Sequence, residues 1–338
     1  MASPDTRMEP SPSTALRGGI DLGGTKIQAI VADGGNRVLG QARRRTPRSG
    51  GAEGVVAALV ATMRAACAEA GCEAKDLAGV GIGTPGAVDA RLGTVSAAGN
   101  VSGFVETVPL ADSVSSALGA PCRLGNDVGV ALDAEARLGA GADARSFVGV
   151  WWGTGIGGGF VIDGERWLGR GAAGEIGHAV VKLDGAACTC GRRGCLEAYA
   201  GRRAMEIRAR ALVERGRRTK LFRWAQEKGR DHLTSSVWAK GLAREDPVAV
   251  HLIGRAVRAL GAGIASAVNL LDVEAVVIGG GLGTRLGRPI AARIAAEMRT
   301  HLLVPERAPP VRVSALGDLG GAIGASLLVP ASAPPSAA

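Results

Sequence analysis

One pattern occurs twice along the chain, and it restricts the possible folds more than any other feature. The stretch GGIDLGGTKIQAIVADGGNRVLG can be laid over FVGVWWGTGIGGGFVIDGERWLG so that Gly23 matches Gly153 and Asp33 matches Asp163. Each copy predicts a strand, a glycine turn that contains threonine, a second strand and a hairpin. Internal similarity of this kind is typical of a duplicated unit. We therefore expect two related α/β halves.

The remaining hydrophobic patterns continue the mixed α/β arrangement. They predict strands at Leu77–Gly83, Pro121–Leu124 and Ala275–Ile278, and helices at Ala52–Ala70, Val128–Leu138, Ala249–Leu270 and Pro289–Thr300. Asp127 then stands where a strand ends and a helix begins. An acid at that position can cap the helix or take part in chemistry, and the pattern alone leaves both interpretations open.

Composition and charge exclude several classes of protein. The 338 residues and the 46% share of apolar side chains suffice for two packed domains of ordinary size. The net charge of +9 is typical of arginines scattered over solvated faces, and the basic run ERGRRTKLFRW lacks the interleaved aromatic residues that stack on bases. No run approaches the roughly 18 apolar residues of a membrane span, and the N-terminus lacks the apolar core of a secretion signal. The sequence thus predicts a soluble, cytoplasmic protein that binds neither nucleic acid nor membrane.

Three glycine-rich turns, in DLGGTK, in GTGIGGG and at 279–281, expose backbone N–H groups that can bind phosphate. Either of the first two alone is more typical of a tight hairpin, but their duplicated positions, together with the third turn, favour a nucleotide held between two lobes. Gly153, Gly155 and Gly158 also fit the dinucleotide pattern G-x-G-x-x-G. That pattern requires a helix directly after the loop, and here the strand GFVID follows, so an NAD-dependent enzyme is not expected.

A histidine and three cysteines lie close together in HAVVKLDGAACTCGRRGC. Three thiolates and one imidazole are the ligand set of a closed tetrahedral Zn²⁺ site, formed here by His178, Cys188, Cys190 and Cys195. A disulfide is not favoured, because Cys188 and Cys190 are too close in sequence to bridge comfortably and a cytoplasmic chain stays reduced. Four protein ligands leave no open position for water, so the predicted zinc is structural.

Several segments of the chain are similar to the motifs of one family, in that family's order: DLGGTK, GIGTPGAVD, GNDVGVAL, GEIGH, CTCGRRGCLEAYAG, VIGGG and LGDLGGAIGASLL. Through them the chain resembles the bacterial glucokinase branch of the ROK family (repressor, open reading frame, kinase), from about Gly18 to Leu328. The resemblance implies the duplicated actin-like, ribonuclease-H-like ATPase fold, with two lobes and a central cleft.

The resemblance also implies a division of the chain. A small lobe would span 18–125, a large lobe with the zinc knuckle 126–305, and a segment returning to the small lobe 306–328. The Pro- and Ser-rich ends, 1–17 and 329–338, predict flexible tails, because they hold too few large apolar groups to offset the entropy of ordering.

The activity implied by the resemblance is transfer of the γ-phosphoryl group of ATP to the 6-hydroxyl of glucose, with Asp127 as the catalytic base. The hexose would be surrounded by Gly86, Asn100, Asn126, Asp127, Glu175, His178 and Glu197. The phosphates and Mg²⁺ would face Asp21, Gly24, Thr25, Lys26, Thr154, Gly155 and Gly280. Zinc would be held by His178, Cys188, Cys190 and Cys195, and a homodimer or homotetramer would be usual for such a protein.

Departures from the family pattern leave alternatives for the substrate. Asn100 is followed by Val-Ser-Gly-Phe rather than the usual Leu-Pro-Gly-Trp, so another hexose, such as an N-acylhexosamine or fructose, is an alternative. The serine often found after Glu-Ala-Tyr-Ala is also missing, and Arg202 follows Ala200-Gly201 there. A sugar-responsive repressor is a further alternative, which the short tail before Gly18 does not favour. ATP and polyphosphate both stay open as the phosphoryl donor.

Overall fold

The structure is a computed structural model that describes residues 15–99 and 101–330. These residues form two compact units. The first unit comprises the described residues up to Ala134 and those from Leu319 onward, and the second comprises Glu135–Asp318. The predicted tails lie for most of their length outside the described residues, and so does Asn100.

The first unit is built around a five-stranded mixed sheet. Its elements up to the end of the third helix are β1 (Arg17–Leu22), β2 (Lys26–Ala32), β3 (Val38–Arg45), α1 (Gly51–Ala70), β4 (Gly79–Thr84), β5 (Ala87–Asp89), β6 (Thr94–Ser96), α2 (Leu110–Leu118), β7 (Cys122–Asn126) and α3 (Asp127–Leu138). The sheet has the strand order β3-β2-β1-β4-β7. β1 to β3 pair antiparallel, whereas β4 and β7 run parallel to β1.

The second unit contains a second five-stranded sheet and most of the helices described. Its elements are β8 (Phe147–Trp152), β9 (Ile156–Ile162), β10 (Glu165–Trp167), α4 (Glu197–Ala200), α5 (Arg202–Glu214), α6 (Leu221–Gln226), α7 (Ser235–Ala243), α8 (Pro247–Leu271), β11 (Ala275–Gly279), α9 (Gly280–Arg299) and β12 (Val311–Val313). The sheet order is β10-β9-β8-β11-β12, and β11 and β12 run parallel to β8. α9 is interrupted at Gly287, whose φ is 64°, so its second part begins near Pro289, where the sequence predicts a helix.

The two sheets have the same topology, which confirms the duplication predicted from the sequence. Both consist of three antiparallel strands followed by two parallel ones. β8 begins and ends 130 residues after β1, and β9 does so after β2. The matches of Gly23 with Gly153 and of Asp33 with Asp163 have the same offset, so the alignment of the two stretches is also the alignment of the two structures.

The chain returns to the first unit through α10 (Gly320–Ser326), which packs closely against β1 and β4. A Cβ atom at Gly19 would overlap the carbonyl oxygen of Ala322, and one at Gly81 would overlap that of Ala325. The glycines in these strands therefore allow backbone-to-backbone approach. The small Gly and Ala residues of α10 permit the same close packing.

The unit boundaries differ from those expected from the resemblance. The expected boundary after residue 125 lies too early, because Val130 of α3 packs over the positions of Gly83 and Gly125 in the first sheet. The expected return at residue 306 also lies too early, because β12 still pairs with β11 in the second unit. At the ends, the predicted tails include Arg17 and Val329, yet both residues are buried, and Nη1 of Arg17 donates to the Val329 carbonyl at 3.4 Å.

Two helices, α1 and α8, are long and apolar enough by length and composition to cross a membrane, although no membrane span is expected from the apolar runs of the sequence. α8 has 67% of its apolar window buried inside its unit. α1 lies against β2, β3 and α2. Such burial is typical of core helices, which can have the same length and apolar composition as a membrane-spanning helix.

Candidate active site

Parallel strands bring several predicted residues of the first unit to one edge of its sheet. Asp21 near the end of β1 is in register with Gly83 of β4, and Thr84 of β4 is in register with Asn126 of β7. Asp127 follows, and its Cα lies 3.7 Å from the position that a Cβ of Gly83 would take. Ligands of α/β sheets commonly bind at the carboxyl ends of parallel strands. The structure therefore groups Asp21, Asn126 and Asp127 where a ligand is expected.

Asp127 begins α3 but does not cap it, so the interpretation of this acid as a helix cap is wrong. The N-cap is Asn126, whose Oδ1 accepts the N–H of Gly129 at 3.0 Å. Oδ1 of Asp127 accepts the N–H of Val128 at 2.9 Å. Burial raises the pKa of the Asp127 carboxyl above its usual range, and the Val128 N–H opposes this effect. The carboxylate is thus a stronger base than an exposed aspartate.

The first glycine loop joins β1 to β2 and is held from two sides. The N–H of Gly23 donates to the Lys26 carbonyl at 2.9 Å. The hydroxyl of Thr46 donates to the Gly23 carbonyl at 2.6 Å. Gly24 and Thr25 form the tip of the loop, and the Thr25 side chain is exposed. The residues predicted to face phosphate therefore lie on a turn whose shape is fixed by hydrogen bonds.

Gly86, in the turn after β4, has a φ of 99°. A Cβ atom there would overlap the carbonyl oxygen of Ser96. Only glycine fits such a position without strain. Asn100, which the resemblance also places around the hexose, lies outside the described residues.

Two glycine turns of the second unit lie on neighbouring strand ends. β8 and β11 are parallel, with Trp151 in register with Gly279. Gly280 follows with a φ of 78°, and a Cβ there would lie 2.7 Å from the backbone N and O of Trp152. The turn at 153–155 is closed by a hydrogen bond of 3.0 Å from the N–H of Gly153 to the carbonyl of Gly155. The structure thus brings the two predicted phosphate loops of this unit together.

Glu197 connects the 153–155 loop to the cysteine cluster. Its Oε2 accepts the N–H of Ile156 at 2.8 Å, and its Oε1 accepts the hydroxyl of Thr189 at 3.3 Å. Gly155, Thr189 and Glu197 line one cavity of about 370 Å³. Sequence reasoning did not single out Thr189. Its position between Cys188 and Cys190 is the signal that points to it.

The four predicted metal ligands converge. One ligand atom from each of His178, Cys188, Cys190 and Cys195 lies within 4.8 Å of all the others. Nδ1 of His178 is 3.9 Å from Sγ of Cys188, and Sγ of Cys190 is 3.7 Å from Sγ of Cys195. Tetrahedral zinc with bonds of about 2.3 Å to sulfur places its sulfur ligands roughly 3.8 Å apart. The donor set and its spacing therefore fit a metal ion such as Zn²⁺.

Comparison with known proteins decides the family. The model of the ROK family matches residues 17–332. The chain belongs to the ROK family. A glucokinase of Streptomyces coelicolor is 32% identical over 315 residues, which are 91% of this chain and 95% of that relative.

Solved structures of ROK proteins share the fold. A ROK hexokinase from Thermus thermophilus has a TM-score of 0.75 and 35% identity, covering 93% of this chain and 97% of its own. A ROK family glucokinase from Streptomyces griseus, in complex with glucose and AMPPNP, has a TM-score of 0.78 and 34% identity, covering 93% and 99%. The duplicated sheets are therefore those of the actin-like ATPase fold, which confirms the expected fold class.

The ROK knuckle that carries the three cysteines depends on two glycines with positive φ. Gly191 has a φ of 85° and Gly194 a φ of 81°. A Cβ at Gly194 would overlap the carbonyl oxygen of Lys182, whereas a Cβ at Gly191 would meet nothing within 4 Å. The two glycines are thus required for different reasons, one steric and one conformational.

The GEIGH motif of this ROK protein forms a short 3₁₀ turn at Ile176–His178. The carbonyl of Glu175 accepts the N–H of His178 at 2.9 Å. The Glu175 side chain is exposed and that of His178 is half-buried. A Cβ at Gly177 would overlap the Ile156 carbonyl oxygen, so this turn packs on the first residue of β9. The turn that carries His178 and the Glu197 carboxylate thus both lie against the backbone of Ile156.

Proposed function

We propose that this ROK protein is an ATP-dependent hexokinase that transfers the γ-phosphoryl group of ATP to the 6-hydroxyl of glucose. The observation that carries the proposal is Asp127, a half-buried carboxylate at the carboxyl end of β7 whose pKa is raised by burial. The cap of α3 is supplied by Asn126, so the helix does not account for this acid. The similarity to glucokinases over most of the chain supports glucose as the substrate.

Asp127 acts as the general base in this proposal. It accepts the proton of the 6-hydroxyl while the hydroxyl oxygen forms a bond to the γ-phosphorus. The bond between the γ-phosphorus and the bridging oxygen of ADP breaks, and ADP leaves with that electron pair. A carboxylate with a raised pKa takes up the proton more readily than an ordinary aspartate does.

Other residues bind the hexose by hydrogen bonds. Asn126 uses its Oδ1 for the helix cap, so its Nδ2 amide is the group that donates to a sugar hydroxyl. His178 directs Nδ1 into the cysteine cluster, so Nε2 is the ring nitrogen left for the sugar. Glu175, Glu197, Gly86 and Asn100 complete the proposed set.

The glycine loops bind the phosphates of ATP. The proposed contacts are Asp21 and 24–26 in the first unit and Thr154, Gly155 and Gly280 in the second. Backbone N–H groups on tight glycine turns are suited to phosphate oxygens. Mg²⁺, when bound with ATP, neutralises charge that develops on the phosphoryl oxygens.

Zinc is proposed at His178, Cys188, Cys190 and Cys195, where it would hold the knuckle and with it the Thr189–Glu197 contact. Four protein ligands fill a tetrahedral shell, so the role is structural. None of the six cysteines forms a disulfide. Thiolate ligands persist in a reducing compartment, which supports a cytoplasmic enzyme.

The function is tested by a coupled assay of ADP release with glucose, fructose, mannose and N-acetylated hexosamines. We expect the highest kcat/KM with glucose and ATP·Mg²⁺. Another hexose with a kcat/KM about tenfold above that of glucose, a difference of about 1.4 kcal/mol, would overturn the proposed specificity. Glucose 6-phosphate formation with polyphosphate but not with ATP would contradict the proposed donor.

The zinc proposal is tested by Cys190→Ser, with Cys72→Ser outside the cluster as the control. We expect Cys190→Ser to lower both the zinc content and the melting temperature, and activity to fall as the Glu197 contact loosens. Cys72→Ser should retain one zinc per chain. Fully active wild-type protein that contains no zinc by elemental analysis would refute the proposal.

A further inference from the structure

A guanidinium connects the two phosphate loops of the second unit. Arg202, the first residue of α5, donates through Nη2 to Oγ1 of Thr154 at 2.8 Å and through Nη1 to Oγ of Ser235 at 2.9 Å. Thr154 lies on the loop after β8. Oγ of Ser235 lies 3.6 Å from the position that a Cβ of Gly281 would take, beside the turn after β11. One side chain thus contacts the first loop and, through Ser235, the second.

The backbone fixes the position of Arg202 as well. Its N–H donates to the Gly153 carbonyl at 3.2 Å, and the N–H of Arg203 donates to the Thr154 carbonyl at 3.0 Å. Two residues earlier, the carbonyl of Ala200 accepts Nε1–H of the buried Trp152 at 2.6 Å. The start of α5 is therefore attached to the 153–155 loop before any ligand binds, which lowers the entropy cost of a contact made by Arg202.

The charge of Arg202 has no carboxylate partner within ion-pair distance in the part of the chain that the structure describes. Glu206 attracts the Arg202 guanidinium only at longer range, because both of its carboxylate oxygens have other partners. Oε1 accepts a hydrogen bond from Nη2 of Arg210 at 2.6 Å, and Oε2 accepts the N–H of Leu233 at 2.7 Å. Burial lowers the pKa of Arg202, and Glu206 opposes this effect. A guanidinium has five N–H donors, and the two bonds described go to neutral hydroxyls. A half-buried cation in this state favours an anionic ligand.

We propose that Arg202 binds the phosphate chain of the donor, a nucleoside triphosphate, and sets the affinity of the enzyme for that donor. The inference rests on the proposed kinase function. Thr154, Gly155 and Gly280 offer hydroxyl and backbone N–H groups, and Arg202 adds a positive charge with a planar fork that matches phosphate oxygens. No hydrogen bond or ion pair joins Arg202 to the proposed sugar-binding residues among the described ones, so we expect its main effect on the donor.

The test compares the KM values of the two substrates in matched variants. Arg202→Gln removes the charge, and we expect the KM for ATP to rise roughly 10- to 100-fold, as for loss of a charged hydrogen bond. The KM for glucose should stay within about twofold. Arg202→Lys keeps the charge without the fork, so the KM for ATP should rise less, by roughly three- to tenfold. Calorimetric affinity for AMPPNP should follow the same order.

Arg215→Gln is the control, because this exposed arginine lies directly after the other end of α5 and makes no side-chain hydrogen bond among the described residues. Its KM for ATP should stay within about twofold of the wild-type value. An equal rise in Arg215→Gln would show a general charge effect and overturn the inference.

Two results separate this inference from the proposed function. A wild-type protein that phosphorylates no hexose with ATP contradicts the function itself. An active wild type with an Arg202→Gln variant whose KM for ATP is unchanged, or whose two KM values rise equally, overturns the role of Arg202. If Arg202→Gln does not fold, the same comparison in Arg202→Lys decides.

Discussion

Asp127→Asn separates a chemical role of this residue from a structural one. The structure gives the helix cap to Asn126, whose bond to Gly129 does not involve Asp127, and an amide oxygen at 127 can still accept the N–H of Val128. The substitution therefore keeps the local hydrogen bonds and removes only the basicity. General-base catalysis contributes roughly 10²- to 10⁴-fold, so kcat should fall by that factor, or about 2.7–5.4 kcal/mol in activation free energy.

The stability of the Asp127→Asn variant depends on pH in a defined direction. Burial raises the pKa of Asp127, so the folded state holds this carboxylate less readily than the unfolded state does. The wild type therefore loses stability as pH rises from the usual aspartate pKa through the raised one. The Asp127→Asn variant has no buried charge at this position, so its melting temperature should equal or exceed that of the wild type at neutral pH. The difference should vanish in acid, where Asp127 is protonated in both states.

The assays are coupled ADP release, calorimetric binding of glucose and thermal melts across pH. The wild-type kcat/KM should fall in acid with an apparent pKa above the usual aspartate range, because the base must be unprotonated. Asp112→Asn is the matched control, since it makes the same change at an exposed acid in the first turn of α2. A folded, glucose-binding Asp127→Asn variant that keeps more than about a tenth of wild-type kcat would refute the role of Asp127 as the base.

Two further predictions concern the knuckle and the core of the second unit. Gly194→Ala should abolish zinc retention, because its Cβ would overlap the Lys182 carbonyl oxygen. Gly191→Ala should keep zinc and lower the free energy of unfolding by only the roughly 1–2 kcal/mol that a left-handed backbone conformation costs a residue with a Cβ. Equal zinc content in both variants would contradict this prediction. Asp246→Ala should lower the free energy of unfolding by about 3 kcal/mol, because this buried carboxylate caps α8 and accepts bonds from Thr219, Lys220, Val248 and Ala249. Denaturant unfolding measures the loss, and a change no larger than that of the exposed Asp112→Ala would show that the cap contributes nothing.

The sequence determined the features that depend on short-range pattern. The repeated pattern of strand, glycine turn, strand and hairpin predicted two related α/β halves, and the strands recur at the predicted offset. The spacing of His178 and the three cysteines predicted one cluster, and their ligand atoms converge. Strand period, turn residues and ligand chemistry are local properties, because each is fixed within a few neighbouring residues.

The tertiary structure alone decided which groups these side chains contact. Asn126 and Asp127 are equally good helix caps, and the choice between them depends on where the end of β7 lies against β4. The contact of Glu197 with Ile156 and that of Arg202 with Ser235 join residues 41 and 33 positions apart. The unit boundaries likewise follow from the packing of Val130 and the pairing of β12. No periodic pattern encodes such contacts, because they arise only when distant segments pack together and the buried polar groups must find partners there.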